Sequence, residues 1–123
     1  MIGLFAPDDV RAMDQRAFDR GVHPLTLMER AASHLLRGIL EVGGRGYGLR
    51  VGLLCGKGNN GGDGLAAARR LLDVGACPLV CLVAGADDLS DDAAVQLPRW
   101  RAAGGRVTDS VAAALEDADV GVD

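Results

Sequence analysis

Cys55-Gly56-Lys57-Gly58-Asn59-Asn60-Gly61-Gly62-Asp63-Gly64-Leu65 is the stretch whose residue types could do chemistry. Five glycines between positions 56 and 64 alternate with amides and one acid. Glycine carries no Cβ and tolerates positive φ, so such a run can turn backbone N–H groups toward an anion, above all where a helix follows. A tight turn alone needs only one or two glycines. Asn59 and Asn60 each bring a carbonyl oxygen and an NH2 group, and Asp63 brings two acceptor oxygens, so hydroxyls, amides or a cation could bind here as well as phosphate. For Asp63 a helix N-cap role is the competing reading.

Two familiar phosphate loops can be weighed against this run. The P-loop pattern places Lys and Ser or Thr after its second glycine, whereas Gly62 and Asp63 follow Gly61 here, so that reading fails. Gly56-x-Gly58-x-x-Gly61 matches the dinucleotide fingerprint literally, but the ribose-binding acid expected about 20 residues on is missing. Asp87 and Asp88 come about ten residues late for it. A hydride-transferring dehydrogenase is therefore a lower-ranked alternative.

The elements that must position this run follow from periodicity. Val51 to Cys55 is a short apolar stretch closed by glycine, as expected of a strand buried on both faces. Leu65 to Val74 reads as a helix ending at Gly75, Pro78 to Ala84 as a strand, and Asp91 to Ala103 as a helix capped by Ser90 and stopped by Gly104. Arg106 to Thr108 is a third strand, Val111 to Asp117 a short helix, and Asp119 to Asp123 a fourth strand. Two helices precede them. The first carries Val10, Met13 and Ala17 and stops at Gly21; the second starts at Thr26, paired with Glu29 as a capping box, and runs to Gly43 and Gly44. His23 and His34 read as boundary or surface residues and take no role.

This order predicts a Rossmann-like three-layer α/β/α sandwich with a mainly parallel sheet, right-handed crossovers and two N-terminal helices packed on it. In a sheet ordered 3-2-1-4 the fourth strand lies beside the first, which brings Asp123 within about 5 Å of the chain leading into the glycine run. An amide oxygen from Asn60 and a carboxylate from Asp123 would then suit a hard cation. A chain that ends on a strand also predicts a domain cut short after its fourth core strand, since such sheets usually continue.

Composition narrows the classes further. The 17 acidic and 13 basic residues give a net charge of -4, which leaves no broad cationic surface for nucleic acid. No apolar run is long enough to span a bilayer and the first residues do not resemble a signal peptide, so a cytoplasmic protein without membrane contact is expected. Cys55, Cys77 and Cys81 form neither an even set nor a CxxC pair and read as small core residues. With four aromatic residues, the core must be built from Leu, Val and Ala.

Three segments in order carry a family resemblance. GKGNNGGDGLAAARRL at 56–71, LTLMERAA at 25–32 and ADVGVD at 118–123 are similar to the glycine-asparagine loop, the LMExAG helix and the start of the VDAxxGTG strand of the YjeF N-terminal domain family, the NAD(P)H-hydrate epimerases. Ala32 stands where the family's helix motif has glycine, and the GTG loop and Asp-x-Pro-Ser-Gly segment that the family carries after its fourth strand are absent from residues 1–123. The resemblance covers residues 1–123 as the N-terminal portion of such a domain.

That resemblance implies a metabolite-repair isomerase interconverting the R and S epimers of hydrated NADH or NADPH. A dehydratase driven by ATP or ADP, fused or separate, would act on the S form. Asn59, Asn60, Gly61, Gly62 and Asp63 would contact the substrate, Asn60 and Asp123 would hold a potassium ion, and a homodimer would be the assembly. No catalytic acid or base is implied. A non-catalytic scaffold or binding module built on the same domain is the alternative from another class; the polar glycine run favours the enzyme.

Overall fold

The computed structural model describes residues 2–4, 21–56, 59–83, 85 and 88–123. The expected helix around Val10, Met13 and Ala17 lies outside the described residues. Strand β2 (Arg50–Cys55) is the centre of a parallel sheet ordered β1-β5-β2-β3-β4, the other strands being β1 (Ile2–Leu4), β3 (Cys77–Leu82), β4 (Arg106–Thr108) and β5 (Val120–Val122). The predicted neighbours β4-β3-β2-β5 are all found. Strand β1, unassigned from sequence, adds an edge by pairing Ile2 with Val120 and Leu4 with Val122.

Period two sorts the strand residues between two faces. Val51, Leu53 and Cys55 of β2, Val80 of β3, and Val120 and Val122 of β5 are buried on one face. There they meet Ile39 of helix α1 (Pro24–Gly43), Leu65 and Leu71 of α2 (Asn59–Asp73), and Leu97 and Trp100 of α3 (Asp91–Ala102). Short helix α4 (Val111–Leu115) takes the other face, with Ala114 lying directly on Gly52. This is the expected three-layer α/β/α arrangement. Among the described residues no helix is long and apolar enough to cross a membrane.

Helix boundaries follow their caps, with one correction. Ser90 caps α3, its hydroxyl accepting from Ala93 N–H at 3.2 Å. Helix α1 begins at Pro24 and not at Thr26: His23 is its N-cap, Nδ1 accepting from Leu25 N–H at 3.1 Å, and Pro24 loses only an N–H that the first turn would leave unpaired. Glu29 therefore belongs to no capping box. At the far end Gly44 adopts φ 77° and its N–H returns to the Leu40 carbonyl. His34 is exposed, as expected.

Two further details locate the chemistry. The lone tryptophan, Trp100, is fully buried and donates its indole N–H to the Arg106 carbonyl at 3.1 Å, tying α3 to β4. Pro78 is the second residue of β3, where Cys77 N–H already donates to Leu49 on the β2 side. Alternation turns Pro78 toward β4, whose pairing starts one residue later at Leu79, so no ladder bond is lost. Cys77 is exposed, which corrects its reading as a core residue, while Cys55 and Cys81 are buried.

The closeness of Gly52 to α4 is testable. A methyl group at Gly52 would collide with the Ala114 carbonyl, whereas Gly3 has open space around it. Gly52→Ala should lower unfolding free energy by about 1–3 kcal/mol. Gly3→Ala should stay within about 0.5 kcal/mol of the parent, both read from urea midpoints at constant m-value.

Candidate functional site at the carboxyl edge of the sheet

The polar glycine run is mostly helix. Helix α2 starts at Asn59, six residues before the Leu65 expected from sequence, so Asn59, Asn60, Gly61, Gly62 and Asp63 form its opening turn and a half. Lys57 and Gly58 lie outside the described residues, and Asn59 and Asn60 are described as backbone. Asp63 is the fifth helical residue and half-buried, so it is not the N-cap. The glycines are spent on proximity. A Cβ at Gly61 would strike the Gly56 carbonyl, one at Gly62 would strike the Met28 thioether of α1, and one at Gly64 would come within 2.8 Å of Cys55 Sγ.

None of the described glycines of this run has positive φ; those that do are Gly21, Gly44, Gly48, Gly75 and Gly104. Glycine thus serves here as the residue thin enough for α2 to start almost on top of β2. That position leaves the unpaired N–H groups of the helix opening, and the positive end of its dipole, at the carboxyl edge of the sheet. Gly61 and Gly62 are buried, so what they can present to a ligand is backbone.

β5 brings the second half of the site. Its register with β2 pairs Gly52 with Gly121 and Leu53 with Val122, which sets Asp123 level with Leu54 on the neighbouring strand, about 4.8 Å away. Asp123 is exposed. From β2 the chain proceeds to β3 and β4 on one side, while β5 and β1 lie on the other, so the strand order reverses between β2 and β5. In open parallel sheets the crevice at such a reversal is where ligands sit. The expected placing of the last strand beside β2, the strand that leads into the glycine run, is found.

The described oxygen donors near this edge are backbone carbonyls and the Asp123 carboxylate, hard ligands unlike those a thiolate-loving metal takes. Among the described residues no cluster of three His, Cys, Asp or Glu side chains exists. Cys55, the residue entering the turn, supplies no nucleophile: burial pushes its thiol up to about 12, with Cys81 adding to the effect. It is a neutral wall.

One residue that sequence reasoning placed elsewhere holds this geometry together. Glu29 of α1 accepts from Arg69 Nη2 at 2.6 Å and Arg70 Nη2 at 2.8 Å, both on α2, and from Gln96 Nε2 at 3.3 Å on α3; Arg99 Nη1 of α3 stands 3.7 Å away. Burial alone would raise the Glu29 carboxyl, but the Arg70 hydrogen bond and the Arg69 and Arg70 charges outweigh it and hold it below its ordinary value of 4.5. Since Met28 is the neighbour of Glu29, this clasp sets how α1 presses Met28 against Gly62. The adjacent Arg69-Arg70 pair was the only local hint of it.

Glu29→Gln should cost about 1–2 kcal/mol, allowing for screening of the partly exposed guanidinium groups. Because the folded-state value is depressed, the Glu29 contribution is complete above the ordinary pKa of 4.5 and fades as pH falls through the lower folded value. The gap in melting temperature between parent and Glu29→Gln should accordingly narrow in acid. A gap independent of pH would remove the ionised clasp from the account.

Comparison with known proteins agrees with this architecture. Residues 24–123 match the family described as YjeF-related protein N-terminus. The chain is 46% identical over 81 residues to the bifunctional NAD(P)H-hydrate repair enzyme Nnr of Salinibacter ruber, covering 66% of this chain and 15% of that protein. It is 35% identical over 129 aligned positions to the NAD(P)H-hydrate epimerase of Rhodobacter capsulatus, covering 100% of this chain and 61% of that one. The epimerase of Rhodopirellula baltica is 38% identical over 96 residues, 77% of this chain and 38% of its own length. The chain thus spans less than two thirds of each of these relatives, and it belongs to the YjeF-related protein N-terminus family.

Proposed function

We propose that the chain works as an NAD(P)H-hydrate epimerase, interconverting the R and S epimers of hydrated NADH or NADPH ahead of a dehydratase that takes the S form. The observation that carries the proposal is the opening of α2 at the carboxyl edge of the sheet, beside the reversal of strand order between β2 and β5. The names of the relatives above supply the reaction.

In this reading the backbone N–H groups at the start of α2 take the pyrophosphate oxygens, helped by the helix dipole. Asn59, Asn60 and Asp63 orient the dinucleotide through their amide and carboxylate groups, and Gly61 and Gly62 offer it backbone. Asn60 and Asp123 would hold a potassium ion, which supplies a fixed positive charge beside the negatively charged substrate. Inverting the hydrated carbon calls for a proton donor or acceptor, or for loss and return of water with a proton given to the departing hydroxyl and taken from the incoming water. Positioning by the turn confines that exchange to one carbon; no acid or base is assigned.

The test supplies R-NADPH hydrate to the protein together with an S-specific dehydratase and follows the return of reduced-nicotinamide absorbance. The parent should accelerate recovery and respond to potassium. Asn60→Ala should lower the rate by about tenfold or more, the loss of one oriented polar contact, and blunt the potassium response. Equal rates and equal potassium dependence in mutant and parent would remove Asn60 from the site.

A further inference from the structure

The amino end of the sheet gathers a second set of polar groups. Arg50, Cys77 and Arg106 are the first residues of β2, β3 and β4. The register sets Arg50 opposite Cys77, and Arg106 opposite Leu79, two residues farther along β3. Leu79 is level with Gly52, the residue on which Ala114 lies, so alternation turns all three side chains to the face that carries α4. There they line a cleft of about 420 Å³, bounded by Ala113 of α4 and by Asp117. Cys77 is the exposed thiol of the three; Cys55 and Cys81 are buried, and burial raises both. Among the described residues Arg106 forms no ion pair, whereas Arg50 pairs with Asp119.

We propose that this cleft takes a small zwitterionic peptide disulfide and that Cys77 is the residue it modifies. The thiol alone would not carry that inference; the groups around it do. Guanidinium groups flank it from both neighbouring strands, placed for the carboxylates of a short peptide, and Asp117 offers a carboxylate to the peptide's ammonium group. Leu79 and Ala113 supply an apolar wall for its methylene stem. Arg50 and Cys77 lie within electrostatic reach: the hydrogen bond and charge of Asp119 hold the Arg50 guanidinium above its ordinary value, and Asp117 and Cys77 add to it. The step is thiol–disulfide exchange. The Cys77 thiolate attacks one sulfur of the disulfide, the old S–S bond breaks as the new one forms, and the second half leaves as a thiolate that takes up the proton Cys77 released. One disulfide replaces another, so no further oxidant enters. The cleft lies at the end of the sheet away from the glycine run, so the inference is independent of the nucleotide reading.

The test follows adduct formation on the 123-residue chain by intact mass, with glutathione disulfide and, separately, with uncharged bis(2-hydroxyethyl) disulfide. Both probes meet the same thiolate, so the ratio of their rates reports recognition and not the reactivity of the sulfur. The adduct should map to Cys77 and vanish in Cys77→Ser. The ratio should exceed that of a neutral small thiol, N-acetylcysteinamide, by about threefold or more, as contacts with exposed charges allow. Arg106→Gln, a substitution at an exposed position with melting temperature checked, should bring the ratio down by about threefold. A ratio equal to that of the small thiol, an unchanged ratio in Arg106→Gln, or an adduct on Cys55 or Cys81 overturns the site.

Discussion

The near-contact between the start of α2 and the end of β2 is the constraint on which the remaining geometry depends. Gly61 lies over the Gly56 carbonyl and Gly64 over the Cys55 thiol, distances no larger residue would permit. Helix interiors disfavour glycine by about 1 kcal/mol each relative to alanine, so an opening with Gly61, Gly62 and Gly64 in its first two turns would not hold a helix by propensity. Packing holds it instead. Leu65, Ala66, Ala67, Ala68 and Leu71 are all buried, and they fasten α2 to the sheet and to α1. The weak opening is carried by the strong body, and unpaired N–H groups are thereby delivered to the sheet edge.

Charge is used around this frame to fix relative placement. Glu29 gathers side chains from α2 and α3 at one side of the helical layer. At the opposite end of the sheet Asp119 accepts from the Arg50 backbone N–H at 2.9 Å and from its guanidinium at 3.2 Å, with Arg45 at 3.4 Å. The Arg50 side-chain and backbone hydrogen bonds hold the Asp119 carboxyl below the usual carboxylate range. This clasp sits at the entry of both β2 and β5, whose register decides that Asp123 emerges level with Leu54. A one-residue slip would send Val120 and Val122 to the wrong face and carry Asp123 away from the turn.

Much of this was legible in the sequence, for identifiable reasons. Val51 to Cys55 could only be a buried strand, Ser90 announced its helix, and Arg106 to Thr108 was found where alternation put it. The start of α2 was not legible, because local propensity sees five glycines as loop, while the surfaces that require them, Met28 and Gly56 O, belong to other elements. Glu29 was misread for a related reason: its position three residues after Thr26 imitates a cap, and its true partners lie 40, 41 and 67 residues away. Three residues of β1 give no periodic signal, and their partner strand is at the other end of the chain.

The most direct measurement is an amide-resolved NMR titration of the chain with NADPH, a stable stand-in for the hydrate. The account predicts saturable shifts, with a single Kd, in the amides of Gly61, Gly62 and Asp63 on α2 and of Gly121 to Asp123 on β5. Shifts confined to the opposite end of the sheet, around Arg50 and Asp119, with the α2 opening unmoved at saturation, would contradict it.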